Sequence, residues 1–225
     1  MSIDYVVSVD VAGEKAIAGP LVASALILDA RIAPLRFSWP STSGHRVIQL
    51  RDLDTVPPDR RAQIADAIRT SAAGFSTVVC TPSQINEGKP RELRAVAMGR
   101  ALVRAVEHAM FRNPRFRLHI DRTRILAAGG GAIPSVYAGQ GLQELHRDAK
   151  DRPWQLEAAY AIARAYREGL MQEVSVVHPE YDFSANTGHA SPEHRRALEV
   201  YGVTPYHRQR SNLVREVSGA RMAVP

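Results

Sequence analysis

The sequence predicts an α/β domain in which a mixed β-sheet is covered by helices. Three observations lead there. Two β-branched-rich runs, Tyr5 to Asp10 and Leu21 to Leu28, are separated by a short loop with Gly13 and Gly19-Pro20, the pattern of an antiparallel hairpin. Downstream, strand-like runs alternate with helical patterns. The 225 residues, 45% hydrophobic and 23% charged, suffice for one full core, and no repeat or long linker divides them.

The first helix is expected after Pro57-Pro58-Asp59, which precede Ile64, Ile68 and Ala72 at helical spacing. Thr77 to Cys80 reads as a strand, and Pro90 starts a helix with Leu93, Val96, Ala97 and Met98 on its apolar side. RFRLHID, residues 115–121, reads as another strand because Phe116, Leu118 and Ile120 alternate with polar partners. Leu156 to Val174 is the strongest helix, its stripe formed by Leu156, Ala159, Ala163, Tyr166, Leu170 and Val174. A short last helix begins at Ser191-Pro192-Glu193, a cap, a proline in the first turn and an acid. These elements form one domain over residues 1–225, with 186–225 as a basic, helical C-terminal extension.

Composition narrows the function. Twenty-nine basic residues against 23 acidic ones give a net charge of +6 and a pI near 9.8, so a polyanionic partner is to be considered beside a merely solvated basic face. Only Lys15, Lys89 and Lys150 are lysines; the remaining cations are arginines, suited to phosphate. The single Cys80 excludes an intramolecular disulfide and a cysteine zinc site. With no basic region ahead of an apolar stretch, a signal peptide is not expected, and the run Leu21 to Leu28 is too short to span a bilayer. A cytoplasmic protein, acting as a monomer, is the simplest expectation.

Three carboxylates stand out. Asp10 ends the first strand and Asp121 ends RFRLHID; strand ends are where open sheets place their chemistry, and pairing of the two strands would bring both aspartates together. Glu168 lies on the long helix, one turn after Arg164 and next to Arg167, and on position alone it reads as the acid of a surface salt bridge. Glu157, eleven residues earlier on nearly the same face, is about three turns away and reads as too distant to share a metal with Glu168. Gly129-Gly130-Gly131 lacks the Gly-Lys-Ser/Thr of a phosphate loop, and His189 and His194 lack a third zinc ligand nearby in the sequence.

The order of these segments resembles the ribonuclease HII family over nearly the whole chain. The family opens with a strand ending D-E-x-G-R-G-P-L-A-G-P, and residues 10–20 read DVAGEKAIAGP. Its D-S-K-K-L-S segment looks like RDLDTVPPDRRAQIADAI, and its strand ending I-D-G like His119-Ile120-Asp121-Arg122. D-A-K followed by A-A-S-I-L-A-K-V-T-R-D-R-L-M is similar to Asp148-Ala149-Lys150 and AAYAIARAYREGLM. The closing Y-P-x-Y-x-F…H-K-G-Y-G-T-x-x-H…P-x-H-R-x-S-F resembles HPEYDFSANTGHASPEHRRALEVYGVTPYHRQRSN.

The resemblance implies a ribonuclease H-like fold and metal-dependent endonucleolytic hydrolysis of the RNA strand in RNA/DNA hybrids, or of ribonucleotides within duplex DNA. It implies two divalent ions, Mg²⁺ or Mn²⁺, roughly 4 Å apart on hard oxygen ligands, with Asp10, Asp121 and Glu168 as ligands and catalytic residues. Gly13, Lys15, Lys150, Arg164 and His189 would contact nucleic acid. Departures are expected to reduce activity: Val11 replaces the family's second acid, and Glu168 replaces an aspartate. Gly13-Glu14-Lys15 replaces the substrate-reading G-R-G turn. Two alternatives stay open: a catalytically impaired relative that binds RNA/DNA, and a nuclease with a shifted nucleic-acid substrate.

Overall fold

The computed structural model describes residues 2–41, 44–129, 142–145 and 152–222. The expected hairpin forms: β1 (Tyr5–Ala12) pairs antiparallel with β2 (Leu21–Asp29), Asp10 opposite Ser24. β2 also pairs antiparallel with β5 (Gly74–Cys80), which contains the expected strand at 77–80. On its other edge β1 runs parallel to β6 (Thr123–Ala128), and β6 runs parallel to β7 (Leu142–Leu145). The sheet order is therefore β5-β2-β1-β6-β7, with β1 central. A separate hairpin, β3 (Phe37–Ser41) with β4 (Gly44–Ile48), had no counterpart in the sequence reading.

Helices cover both faces. α1 (Pro58–Ser71) starts at the expected prolines, and a capping box on Thr81 and Gln84 starts α2 (Pro82–Glu87). α3 (Pro90–Arg112) packs Ala97, Met98, Ala101 and Leu102 against Val7, Val9 and Val11, the odd-numbered face of β1. α4 (Trp154–Val177) lies on the even-numbered face, where Leu156 meets Val6 and Ala163 meets Ala12. Alternation along β1 thus sends Asp10 towards α4 and Val11 towards α3.

The strand expected at residues 116–121 is not there. Phe116 is buried edge-on against Tyr5, 5.1 Å between ring centroids, while Ile120 is 45% exposed and residues 120–122 form a 3₁₀ turn. The true strand, TRILAA, exposes only Arg124, and its apolar run Ile125 to Ala128 is buried on both faces, so it carries no alternation to read.

Beyond α4 come α5 (Phe183–Asn186), α6 (Pro192–Tyr201) and α7 (Asn212–Met222), the last not foreseen. This segment packs on the loop after β1: Ile17 and Ala18 share a core with Tyr181, Phe183, Leu198 and Val214, and Ala18 bridges His207. Two buried guanidinia complete the closure. Arg167 donates to the carbonyls of Ala18, Pro20 and Thr187, and Arg208 to those of Gly19, Pro20 and Glu14. Burial pulls Arg167 down to about 10 and Arg208 to about 9, still charged near neutrality. Behind them sit His194 and His207. His207 Nδ1 accepts from the Thr204 N–H at 2.9 Å, which assigns its proton to Nε2 for donation to His194 Nε2 at 3.1 Å; His194 Nδ1 then donates to the His189 carbonyl at 2.7 Å.

Burial lowers the pKa of His194, and burial together with His194 lowers His207 to about 4. Because the unfolded chain binds more protons below the ordinary histidine value of 6.5, the pair's contribution to stability is complete above that pH and is lost as pH falls towards 4. Urea unfolding at about pH 7.5 and about pH 5 checks this. The unfolding free energy is expected to drop more between the two in wild type than in His207→Gln; equal drops would remove the pair as the cause.

Candidate active site

Asp10 is 1% exposed at the carboxyl end of β1. Its Oδ1 accepts the Val11 N–H at 2.6 Å, and its Oδ2 takes Arg152 Nη2 at 2.5 Å. Arg152 Nε lies 2.9 Å from Glu157 Oε1, so one buried guanidinium sits between two carboxylates. Placement follows from local structure: Pro153 caps α4, leaving Arg152 just ahead of the helix and Glu157 in its first turn, while Ser8 Oγ ties β1 to the Gln155 carbonyl.

Glu168 belongs to a second cluster. Its Oε2 takes Arg61 Nε at 2.8 Å and its Oε1 takes Arg164 Nε at 2.9 Å, and Arg164 also binds Asp54. Eleven residues of helix separate Glu168 from Glu157, about 16 Å of rise. Between them runs a cleft made of two adjoining hollows of about 240 and 250 Å³ that share Asp54, Tyr160 and Arg164. Arg51, Arg152 and Glu157 line one end; Gly13, Arg167, Glu168 and His189 line the other.

Asp121 is not brought to this cleft. Tyr5 pairs with Thr123 and Val9 with Ala127, so Asp121 precedes β6 at the end where β1 begins, roughly 20 Å from Asp10 at strand rise. It is exposed. The same register sets Ala128 beside Asp10, on the same sheet face, followed by Gly129 at φ +81°. The segment that answers the I-D-G pattern in space is thus Ala128-Gly129, with an alanine in the acid's place. Val11 is 1% exposed and packed among Leu21, Ile85 and Met98, on the opposite face of β1 from Asp10.

Of the residues expected to touch nucleic acid, Gly13 lies in a turn at φ +84°, where an added Cβ would fall 2.1 Å from Arg167 Nε, so Arg167 leaves no room for a side chain there. Lys15 and His189 are exposed at the rim. Arg164 is committed to Glu168 and Asp54, and Lys150 lies outside the described residues, as do Gly130, Gly131 and Asp148-Ala149. Glu14, exposed, faces Arg94 at 3.4 Å rather than Asp10. Sequence reading missed Arg152 and weighed Glu157 only against Glu168; the available signal was an arginine just before the Pro153 cap with an acid one turn into the helix.

No family model matches the sequence. A ribonuclease HII from Cytophaga hutchinsonii is 32% identical over 199 residues, 88% of this chain and 85% of that protein. The chain belongs to the ribonuclease HII family. A ribonuclease HII from Salinibacter ruber is 25% identical over 95% of this chain and 94% of its own. The fold agrees: the ribonuclease H2 of Pyrococcus horikoshii superposes with a TM-score of 0.70 at 19% identity, covering 97% of this chain and 99% of that one. A Bst-RNase HIII solved in complex with Mn²⁺ superposes at 0.67 with 16% identity, over 97% of this chain and 70% of that one. The mixed sheet flanked by helices is the ribonuclease H-like fold. Among the described residues no helix is long and apolar enough to cross a membrane.

A divalent ion is the cofactor that the family implies, and the donor set does not fit a two-ion centre. Among the described residues no three His, Cys, Asp or Glu side chains converge. Asp10 and Glu157 share Arg152, Glu168 holds Arg61 and Arg164, Val11 faces away and Ala128 offers no ligand.

Restoring the missing acid by Val11→Glu is therefore expected to bury a carboxylate in the α3 core rather than to complete a site. Urea unfolding should show a loss of about 3 kcal/mol. A variant as stable as wild type would mean that position 11 reaches a cation or solvent.

Proposed function

We propose that this family member hydrolyses the RNA strand of RNA/DNA hybrids, with Asp10 the carboxylate on which cleavage depends. The observation that carries the reading is the retention of Asp10, buried where β1 opens on the cleft, within a chain similar to ribonuclease HII proteins along most of its length. The hybrid would lie across the rim, with Lys15 on the turn after β1 and His189 on the turn that Arg167 and His194 hold beside it. The role of these exposed groups is to engage the sugar–phosphate backbone, so binding falls with salt. Arg164 acts through its carboxylates, fixing Glu168 and Asp54 along the cleft wall. Mg²⁺ or Mn²⁺ is the cofactor proposed on family grounds, and with so few open ligands cleavage is expected to require high ion concentrations.

Arg152 on Asp10 is a specific pointer to a second reading, hybrid binding without cleavage. Labelled duplexes with an all-RNA strand, one embedded ribonucleotide, or DNA alone, incubated with Mg²⁺, Mn²⁺ or EDTA, separate the two. Cleavage of the RNA-containing duplexes is expected to fall at least about a hundredfold in Asp10→Asn. In Asp121→Asn it should stay within about twofold of wild type, given the distance of that residue from the cleft. Salt-sensitive binding with no product under either ion would select the binding-only reading, and equal cleavage by Asp10→Asn would remove Asp10 from the chemistry.

A further inference from the structure

Three carboxylates line the cleft, Asp54, Glu157 and Glu168, and Asp10 is buried behind it; each is engaged by arginine, Asp10 and Glu157 by Arg152, Asp54 and Glu168 by Arg164, with Arg61 also on Glu168. Arg152 is the most enclosed of these cations, 6% exposed, and its partner Asp10 is 1% exposed. A carboxylate so buried needs a compensating positive charge at short range, and in a metal-dependent nuclease a divalent ion supplies it. Here a covalently attached guanidinium does. Removing it would take a positive charge from beside both Asp10 and Glu157, while adding a divalent ion with Arg152 in place would set cation against cation.

We propose that Arg152 is the resident cation of this site, a guanidinium in the divalent ion's place on Asp10 that an ion must displace in order to bind. The proposal concerns the ion alone; it rests on the reading of this cleft as the active site only for its consequence, a raised ion requirement. Glu157 accompanies Arg152 as a second acid, 2.9 Å from its Nε, and adds a charge contact that holds the guanidinium beside Asp10.

Mn²⁺ binding to the free full-length protein, followed by the loss of the free-ion EPR signal, tests it without substrate. Arg152→Met is expected to bind Mn²⁺ at least about tenfold more tightly than wild type, equivalent to about 1.4 kcal/mol. The gain should vanish in Arg152→Met/Asp10→Asn. Arg152→Lys, which keeps the charge on a shorter donor set, should lie between wild type and Arg152→Met; it carries the test if Arg152→Met fails to fold by circular dichroism. Wild type binding Mn²⁺ as tightly as either substituted protein would overturn the proposal. A failure to cleave or bind hybrids would count against the proposed function and leave this result standing, because the readout is ion uptake by the protein alone.

Discussion

Asp10 is a charge at the centre of a sheet, and the surrounding structure is arranged to keep it there. β1 is flanked on both sides by strands and on both faces by helices, so its carboxylate cannot reach bulk water. Bringing Arg152 to it fixes where α4 must begin, since the arginine stands one residue ahead of the Pro153 cap. The start of α4 in turn sets Tyr160, Arg164 and Glu168 along one line of the helix, one turn apart, and that line forms the long wall of the cleft. Strand, cap, helix and cleft are linked through a single ion pair.

Arginine serves two purposes in this chain that a count of basic residues merges. Lys15 and the solvent-facing arginines give the surface its positive sign. Arg152, Arg167 and Arg208 are internal, and the last two hydrogen-bond only to backbone carbonyls, of the turn between β1 and β2 and, for Arg167, of Thr187 as well. Three carbonyls crowded into a tight turn make a partial negative charge that a planar guanidinium with five N–H groups can satisfy at once. Part of the pI near 9.8 therefore records internal bonding rather than affinity for a polyanion.

Much of the architecture was legible because it obeys local rules. The β1–β2 hairpin showed in its β-branched runs and glycine loop, α1, α3 and α6 in the prolines and caps at their starts, and α4 in its apolar stripe. β6 was missed because a strand buried on both faces has no period-2 signal, and the neighbouring RFRLHID had one for a different reason: Phe116 and Leu118 cover the edge of the core beside Tyr5 without joining the ladder. That error moved the expected acid from the cleft to the opposite end of the sheet, and concealed that Ala128 is Asp10's neighbour. Glu157 was set aside by measuring its distance to Glu168, when the relevant distance was to Asp10 through a residue outside the helix. The His194–His207 pair lies thirteen positions apart and shows only once α6 and the following turn fold back on each other.

The clasp of Arg208 on the carbonyls of residues 14, 19 and 20 joins the first turn of the chain to almost its last segment. During synthesis the carbonyls of that turn must remain hydrated until nearly two hundred further residues have emerged. The turn that carries Lys15 is thus made long before the residue that closes it. A ribosome stalled short of residue 208 would hold a chain with its central strands able to pair but the turn after β1 unfinished, so the cleft is closed only once Arg208 has been made.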